Sequence, residues 1–495
     1  MTKALVPVQG IQEKGEPRSS ASARNDNTAL TGSLGVASIV FMVVAAAAPL
    51  TVIGGGAPLG IRLGNGAGYP SMYIISAAVL ILFTVGLNAM SRTVRRPGAF
   101  SSYVGQGLGA HFGLAAAILA LLVYTGIQIG VYCFFGVSLS HALDALGLTV
   151  PWWSLTAGAI AGVAWLGFHH VDLSSKVLGV LLVLEIGVAI VLSMAIVLRG
   201  GADGLSATPF MPAEIAAGAP GVGLMFAIAG FIGFESTAVF RDEAKDPERT
   251  VPRATYLSVI LIGVFYAFCG WALVMGWGPD GILDAVANDP ENLIMATALR
   301  YLGAFGGVAI QLLLLTSLFA CVLSFHNVLA RYLFTLGSMR ALPDALGDVH
   351  PLHMSPHKAS LAQTGSAVIL LTLIVMTGMD PVLQAFTWFS AIATLGIVIL
   401  MACTSAATVA YFRADAHGLG SVRTRWAPIG SMISLIIVAA VIVVYFPTLA
   451  GGGWGSALAL VATIPGSMLV GCALATWHRR SARGSWPRIV EHFHA

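Results

Sequence analysis

The sequence predicts an all-α polytopic membrane protein with twelve spanning helices, and three observations carry that reading. Hydrophobic residues fill 57% of the 495 positions and charged residues only 9%, about a third of the roughly 25% charged share typical of soluble domains. Apolar runs longer than the ~20 residues a helix needs to cross a bilayer recur along the whole chain. The basic residues sort into alternate loops. A soluble multidomain protein has no core large enough to absorb so many such runs.

Cutting at charges, prolines and glycine clusters places the spans at 33–61, 69–91, 112–142, 152–169, 174–198, 218–240, 253–277, 303–335, 360–378, 382–411, 427–446 and 454–477. An even count puts both termini on one side. With the N-terminus inside, 22 of the 25 Lys and Arg are cytosolic and only Arg62, Arg199 and Arg300 lie outside, the positive-inside pattern. A missed span would scramble that segregation. The expected location is the cell membrane, multi-pass, with both termini cytoplasmic. Residues 1–30 are polar and mixed in charge, with no basic start leading into a short apolar core and cleavage site; they read as a disordered cytosolic tail. The expected organisation continues with a ten-span core over 31–412, two more spans within 413–478 and a cytosolic tail, 479–495. The net charge of +3 is too small and dispersed to suggest nucleic acid. Five cysteines, odd in number and each inside an apolar run, indicate neither a disulfide framework nor a zinc site.

Two spans are interrupted. Span one reads "VVAAAAPLTVIGGGAPLG", with Pro49 and Pro58 around the triplet Gly54, Gly55 and Gly56. Span six carries Gly230 and Gly233 near its middle. Proline and glycine also make ordinary kinks and packing notches in membrane helices. Interruptions five spans apart, however, fall on helices that cross in opposite directions, as a five-plus-five inverted repeat requires, with halves of roughly 31–200 and 215–412. In such carriers the broken helices meet near the bilayer midplane and their freed backbone groups form the substrate site.

Of the 22 acidic residues, only Glu185 and Glu235 lie within spans. A carboxylate at the centre of a membrane helix costs about 2.5–3.5 kcal/mol even on insertion scales, so it normally faces a polar interior. Glu185, in "VLLVLEIGVAIVLS", reads as a proton-coupling group; the alternative is a protonated acid holding a neighbouring helix. Glu235 follows the span-six glycines and reads as a brace or gate for the unwound stretch. His326, near the end of span eight, reads first as a packing residue. Tyr124, Gln128 and Tyr132 share one face of span three at four-residue spacing, lining a cavity or packing against a neighbour. "QAFTWFS" puts Phe386, Trp388 and Phe389 in span ten, as a lid or as bulk. The glycine runs neither follow a strand nor precede Lys and Ser/Thr in phosphate-loop order, so neither an enzyme nor an ATP-driven pump is expected.

"RRPGAFSSYVGQGLGAHFG", "GFIGFESTAVFRDEAKDPERTVPRA" and "ARYLFTLGSMRALPDALGDVHPLHMSPHKA" occur in this order, between spans two and three, at the span-six break, and at the end of span eight with the loop that follows. Together they resemble motifs of the amino acid, polyamine and organocation (APC) transporter superfamily, over spans one to ten. The resemblance implies a LeuT-like fold with broken helices 1 and 6. It also implies a substrate carboxylate held by N–H groups of helix 1 and an amino group held by carbonyls of helices 1 and 6. The matching positions here are Ala47, Ala48, Leu50, Thr51 and Val52 in span one, and Ala229, Gly230, Phe231 and Ile232 in span six. Three departures stand out. The family's small Gly-Ser-Gly-like triplet falls on Pro49, Leu50 and Thr51, which removes one N–H and adds a hydroxyl, as in some polyamine importers. Its span-six aromatic gate falls on Ala229. A lysine that stands in for sodium in some members is replaced by Glu185. The expectation is a secondary permease for amino acids, coupled to protons rather than sodium and needing no cofactor. Its partners are the small-molecule substrate and membrane lipid. The alternatives are a carrier of amines or cationic amino acids, and a receptor or channel that does not cycle.

Overall fold

The computed structural model describes residues 34–94, 100–168, 175–235, 237, 244–287, 289–350, 355–413, 415–451, 453–481 and 485–494, without the side chains of 45, 46, 175–178 and 494. The expected tail 1–30 and several basic loop residues, among them Arg95, Arg96 and Arg241, lie outside the described residues. Within them the chain is helical, and its isolated β-bridge joins Leu34 to Ala244. Ten helices are long and apolar enough to span a membrane, and two shorter apolar ones, Trp152–Phe168 and Pro220–Ala229, stand at the expected fourth and sixth spans.

In span one, α1 (Val36–Ala46) ends and a second helix, α2 (49–65), begins after a two-residue gap. The sequence dictates the gap. A residue before proline is pushed out of the right-handed helical region, and Ala48 sits at φ 45°, ψ 72°. Proline itself suits the first position of a new helix, where its missing N–H would have been unsatisfied anyway. The glycine triplet is therefore not the interruption. Gly54 to Gly56 lie in a π-helical turn, Val52–Gly56, just ahead of Pro58, which lacks the N–H that an α-helix would direct at the Gly54 carbonyl. The triplet serves close packing: a Cβ on Gly55 would lie 2.8 Å from the Phe134 ring, and one on Gly54 3.2 Å from Leu314.

Span six contains α8, which the pattern places after α3 (Pro70–Thr93), α4 (Phe100–Leu108), α5 (Ala110–Asp144), α6 (Trp152–Phe168) and α7 (Ser175–Leu198). α8 is Pro220–Ala229. Beyond Ala229 the bonding tightens to three-residue spacing, Phe231 N–H to Ile228 at 2.9 Å and Ile232 N–H to Ala229 at 3.1 Å. The helix is lost at Gly233, whose φ of 109° is closed to side-chain-bearing residues.

The remaining long helices are α9 (Pro247–Trp277), α10 (Leu293–Ser338), α11 (His357–Thr377), α12 (Thr387–Tyr411), α13 (Ala427–Leu449) and α14 (Trp454–Arg480). α10 begins earlier than the expected 303, because Gly303 at φ 72° bends the chain between two helical stretches that run on from each other. α5 and α12 pack together at the centre and are the most buried spans, whereas α14 lies on the outside of α5. One element was not expected: the C-terminal segment forms α15 (Trp486–His494), which inserts Ile489 and Phe493 against α4, α5 and the end of α10. Its fit depends on Gly105, where an added Cβ would fall 2.3 Å from the Phe493 ring.

Candidate functional site

The two interruptions face each other. A Cβ on Gly230 would lie 2.8 Å from the Val52 side chain, so absence of a side chain in span six lets the first turn of α2 approach. Tyr266 of α9 closes the junction from one side. Its hydroxyl donates to the Ala47 carbonyl at 3.2 Å, and its ring meets Phe231 edge-on at 6.3 Å between centroids. Ala47, Ala48, Leu50, Thr51, Gly230, Phe231 and Ile232 are all buried here, with Val52 and Ala229 partly so.

Each break has one buried carboxyl beside it. Glu185 of α7 is 5% exposed and lies beside the Leu50 N–H and the Ser317 hydroxyl of α10. Leu50 follows Pro49 in the first turn of α2, where N–H groups have no intrahelical acceptor and the helix dipole favours negative charge. The Thr51 hydroxyl lies 3.2 Å from that of Ser317. A hydroxyl both donates and accepts, so the chain Thr51, Ser317, Glu185 is satisfied with the carboxyl ionised, and reverses direction when it is protonated. Glu235 is held differently. It takes the Tyr124 hydroxyl on one oxygen at 2.7 Å and the Gly233 N–H on the other at 2.9 Å, which clamps the backbone turn at the break to α5. Among the described residues no ion pair involves either glutamate.

The span-three stripe divides by function. Tyr124 serves Glu235. Gln128 donates to the Val322 carbonyl at 3.1 Å and accepts from Gln363, forming a polar link among α5, α10 and α11. Tyr132 is buried, and its carbonyl accepts from Thr156 of α6. In span ten, Phe386 stacks on Phe134 with centroids 5.3 Å apart, and so reaches α2 through the Phe134–Gly55 contact. Trp388 instead donates to the Leu449 carbonyl at the end of α13, 2.8 Å away. Phe231, the first ring after Ala229, is turned toward Tyr266 of α9. His326 is buried with its Nε2 2.8 Å from the Ser360 hydroxyl, in keeping with packing. Tyr266, Ser317 and Phe134 were not singled out from sequence. Each sits in an apolar run with nothing local to distinguish it.

The basic motif after span six has a structural role as well. The Lys245 N–H donates to the Leu34 carbonyl at 3.0 Å beside the Leu34–Ala244 bridge. This ties the chain entering α1 to the chain leaving span six. The two interrupted spans are thus joined at the break and again at one end.

A helical membrane carrier with two interrupted spans meeting at buried carboxyls is the class these features define. The chain matches the family model "Amino acid permease" over residues 37–484, and it belongs to that family within the APC superfamily. It is 24% identical over 338 residues to the low-affinity putrescine importer PlaP of Escherichia coli, covering 66% of this chain and 72% of that one. It is 28% identical over 161 residues to the serine/threonine exchanger SteT of Bacillus subtilis, covering 31% and 34%. Among solved structures it resembles a manganese transporter of Eremococcus coleocola, with a TM-score of 0.58, 14% identity and coverage of 94% and 99%. At that identity the likeness concerns the LeuT-like fold alone.

Proposed function

We propose that this transporter carries a small organic amine, driven by the proton gradient, with the substrate bound where α1, α2 and α8 are interrupted. The observation that carries this reading is Glu185, buried at the start of α2 without a cationic partner among the described residues. An isolated buried carboxylate is costly, and a cation is what the position calls for. The Leu50 N–H that would hold a substrate carboxylate already faces a carboxyl belonging to the protein. This favours an amine without a carboxylate of its own, as does similarity to a putrescine importer. Glu185 then alternates between the substrate ammonium group and a proton, the Thr51–Ser317 hydroxyls adjusting to either state. Glu235 braces the break in span six and gates it.

A second reading is proton-coupled amino acid symport, with Glu185 as proton carrier only and substrate held by the remaining backbone groups of the two breaks. The family assignment and the serine/threonine exchanger favour it. The test is uptake of radiolabelled putrescine and of a panel of amino acids into proteoliposomes under imposed pH gradients of both signs. A carboxyl that holds either the ammonium group or a proton exchanges the two and loads the vesicle when its interior is acid, whereas symport loads it when the interior is alkaline. Accumulation of putrescine, competed by other diamines, is expected. Accumulation of neutral amino acids alone would establish the second reading, and binding without accumulation of any substrate would sink transport itself. Both termini are proposed to be cytoplasmic, from the distribution of Lys and Arg.

A further inference from the structure

Away from the breaks, the end of α3, the start of α9 and the turn leading into α13 enclose a small open pocket. Its polar lining consists of Asn88 and Arg92 from α3, Tyr256 from α9, and Arg423 from the turn leading into α13; Val85 and Pro252 contribute apolar wall. Every one of the four polar side chains can donate a hydrogen bond, and two are fixed cations. Asn88 is 6% exposed, and its Nδ2 is buried without a hydrogen-bond acceptor. Leaving such a donor unpaired costs about 1–3 kcal/mol; the Tyr256 hydroxyl faces it without completing a hydrogen bond, so a ligand oxygen between the two would serve both. The Tyr256 hydroxyl lies in the field of both guanidinium groups. Arg423 enters no ion pair among the described residues.

The depth of the pocket is readable from its neighbours. Trp426 follows Arg423 by three residues, is 60% exposed, and carries the Arg425 guanidinium 5.4 Å from its ring centroid. Exposed tryptophan beside arginine at the end of a span is the signature of the membrane–water boundary. Phosphate is a multivalent acceptor that arginine binds through paired N–H groups, and basic pockets between helix ends at this level suit anionic headgroups.

We propose that this pocket is a binding site for the phosphate of an anionic lipid headgroup, gripped by Arg92, Arg423, Asn88 and Tyr256, with the glycerol end against Val85 and Pro252. Occupancy cross-links α3, α9 and the turn before α13. The site is separate from the substrate site, and nothing in it depends on the substrate's identity.

The full-length protein, stripped of lipid in neutral detergent, is titrated with phosphatidylglycerol, phosphatidylcholine or inorganic phosphate, and read by native mass spectrometry and by thermal unfolding. Wild type is expected to retain phosphatidylglycerol and unfold at higher temperature with it, while phosphatidylcholine does neither. Arg423→Gln, at an exposed position that leaves folding intact, is expected to weaken phosphatidylglycerol binding about tenfold, the loss of one charge-assisted contact. Asn88→Leu is expected to weaken it as well. Inorganic phosphate that competes at millimolar concentration confirms phosphate as the recognised group, and phosphate that alone reproduces the full stabilisation identifies a soluble anion as the source. Equal retention of the two lipids, or undiminished phosphatidylglycerol binding by Arg423→Gln, overturns the proposal.

Discussion

The two interrupted spans reach similar ends by opposite local means. In span one, proline imposes the break: Ala48, just before Pro49, is kept out of the right-handed helix and sits at φ 45°, and the restarted helix offers unpaired N–H groups. In span six, glycine permits the break at Gly233, where a residue with a Cβ would be strained. Each break has one glutamate beside a backbone N–H and a hydroxyl from another helix: Glu235 accepts from Gly233 and Tyr124, and Glu185 lies next to Leu50 and Ser317. The difference is distance along the chain. Glu235 lies two residues from the N–H it holds, so it shapes its own turn and cannot leave without undoing it. Glu185 comes from α7, and can exchange that N–H for a different ligand without any change in the path of α2. The comparison assigns the structural part to the local carboxyl and the working part to the distant one.

The largest expected effect follows from that assignment. Glu185→Gln keeps the size of the side chain and an acceptor for Leu50, but removes both the charge and the titrating proton. Gradient-driven accumulation in proteoliposomes is expected to fall about 30-fold or more, the worth of a buried charged contact of roughly 2–3 kcal/mol, with the unfolding temperature nearly unchanged. Binding and transport respond differently under the two functional readings. An amine that needs Glu185 as its counter-charge loses affinity in the variant, whereas a substrate served only by a proton carrier still binds and exchanges across the membrane while its pH dependence disappears. Unaltered accumulation with an unaltered pH profile would return Glu185 to helix packing.

A second prediction probes whether the two breaks act on one another. Gly230→Val places its Cβ 2.8 Å from the Val52 side chain, and overpacking of this kind costs about 1–3 kcal/mol. Shortening the partner in Gly230→Val, Val52→Ala is expected to recover part of that loss, giving a coupling energy of about 0.5–2 kcal/mol in a double-mutant cycle. A cycle with no coupling, measured by unfolding in detergent, would separate the breaks energetically and weaken the case for a shared site. Tyr124→Phe is expected to be milder. It deletes the hydroxyl donating to Glu235 at 2.7 Å, costing about 1–2 kcal/mol of stability, and lowers transport through mispositioning of span six rather than by changing which substrate binds.

The legibility of the molecule in its sequence follows the same division between local and distant. The break in span six and the glutamate beside it were readable because Gly230, Gly233 and Glu235 fall within six residues. The isolation of Glu185 in an apolar run marked it as a working group, yet no pattern along the chain said that it would meet Leu50. Its partner Ser317 stands in "LLLLTSLFACV" like any small polar residue of a membrane helix, and Tyr266 gives no local sign that its hydroxyl holds the Ala47 carbonyl. In span one the resemblance sets the unwound segment at Pro49, Leu50 and Thr51, one turn ahead of the glycine triplet, and the helix restarts there. The three glycines lie instead where α2 touches Phe134 and Leu314, and the interruption is encoded in the aversion of a residue before proline to the right-handed helix. The helix α15 was read only as a tail. Its apolar face, Ile489 and Phe493, is too short a pattern to stand out beside twelve long runs.

The smallest expected effect tests the proline mechanism itself. Ala48 holds φ 45° and ψ 72°, a left-handed conformation that costs a residue with a Cβ roughly 1–2 kcal/mol and glycine almost nothing. Glycine gives back part of that advantage by having more freedom to lose on folding. Ala48→Gly is therefore expected to stabilise the protein by about 0.5 kcal/mol, seen as a rise of a degree or so in the unfolding temperature, and to leave substrate affinity unchanged because the backbone path is kept. Gly233→Ala is the mirror experiment: at φ 109° the added Cβ brings strain of about 1–3 kcal/mol. Opposite signs at the two positions are required if proline imposes one break and glycine permits the other. Destabilisation by Ala48→Gly would mean that the methyl group of Ala48, 4% exposed within the junction, is itself a packing contact worth more than the strain it causes.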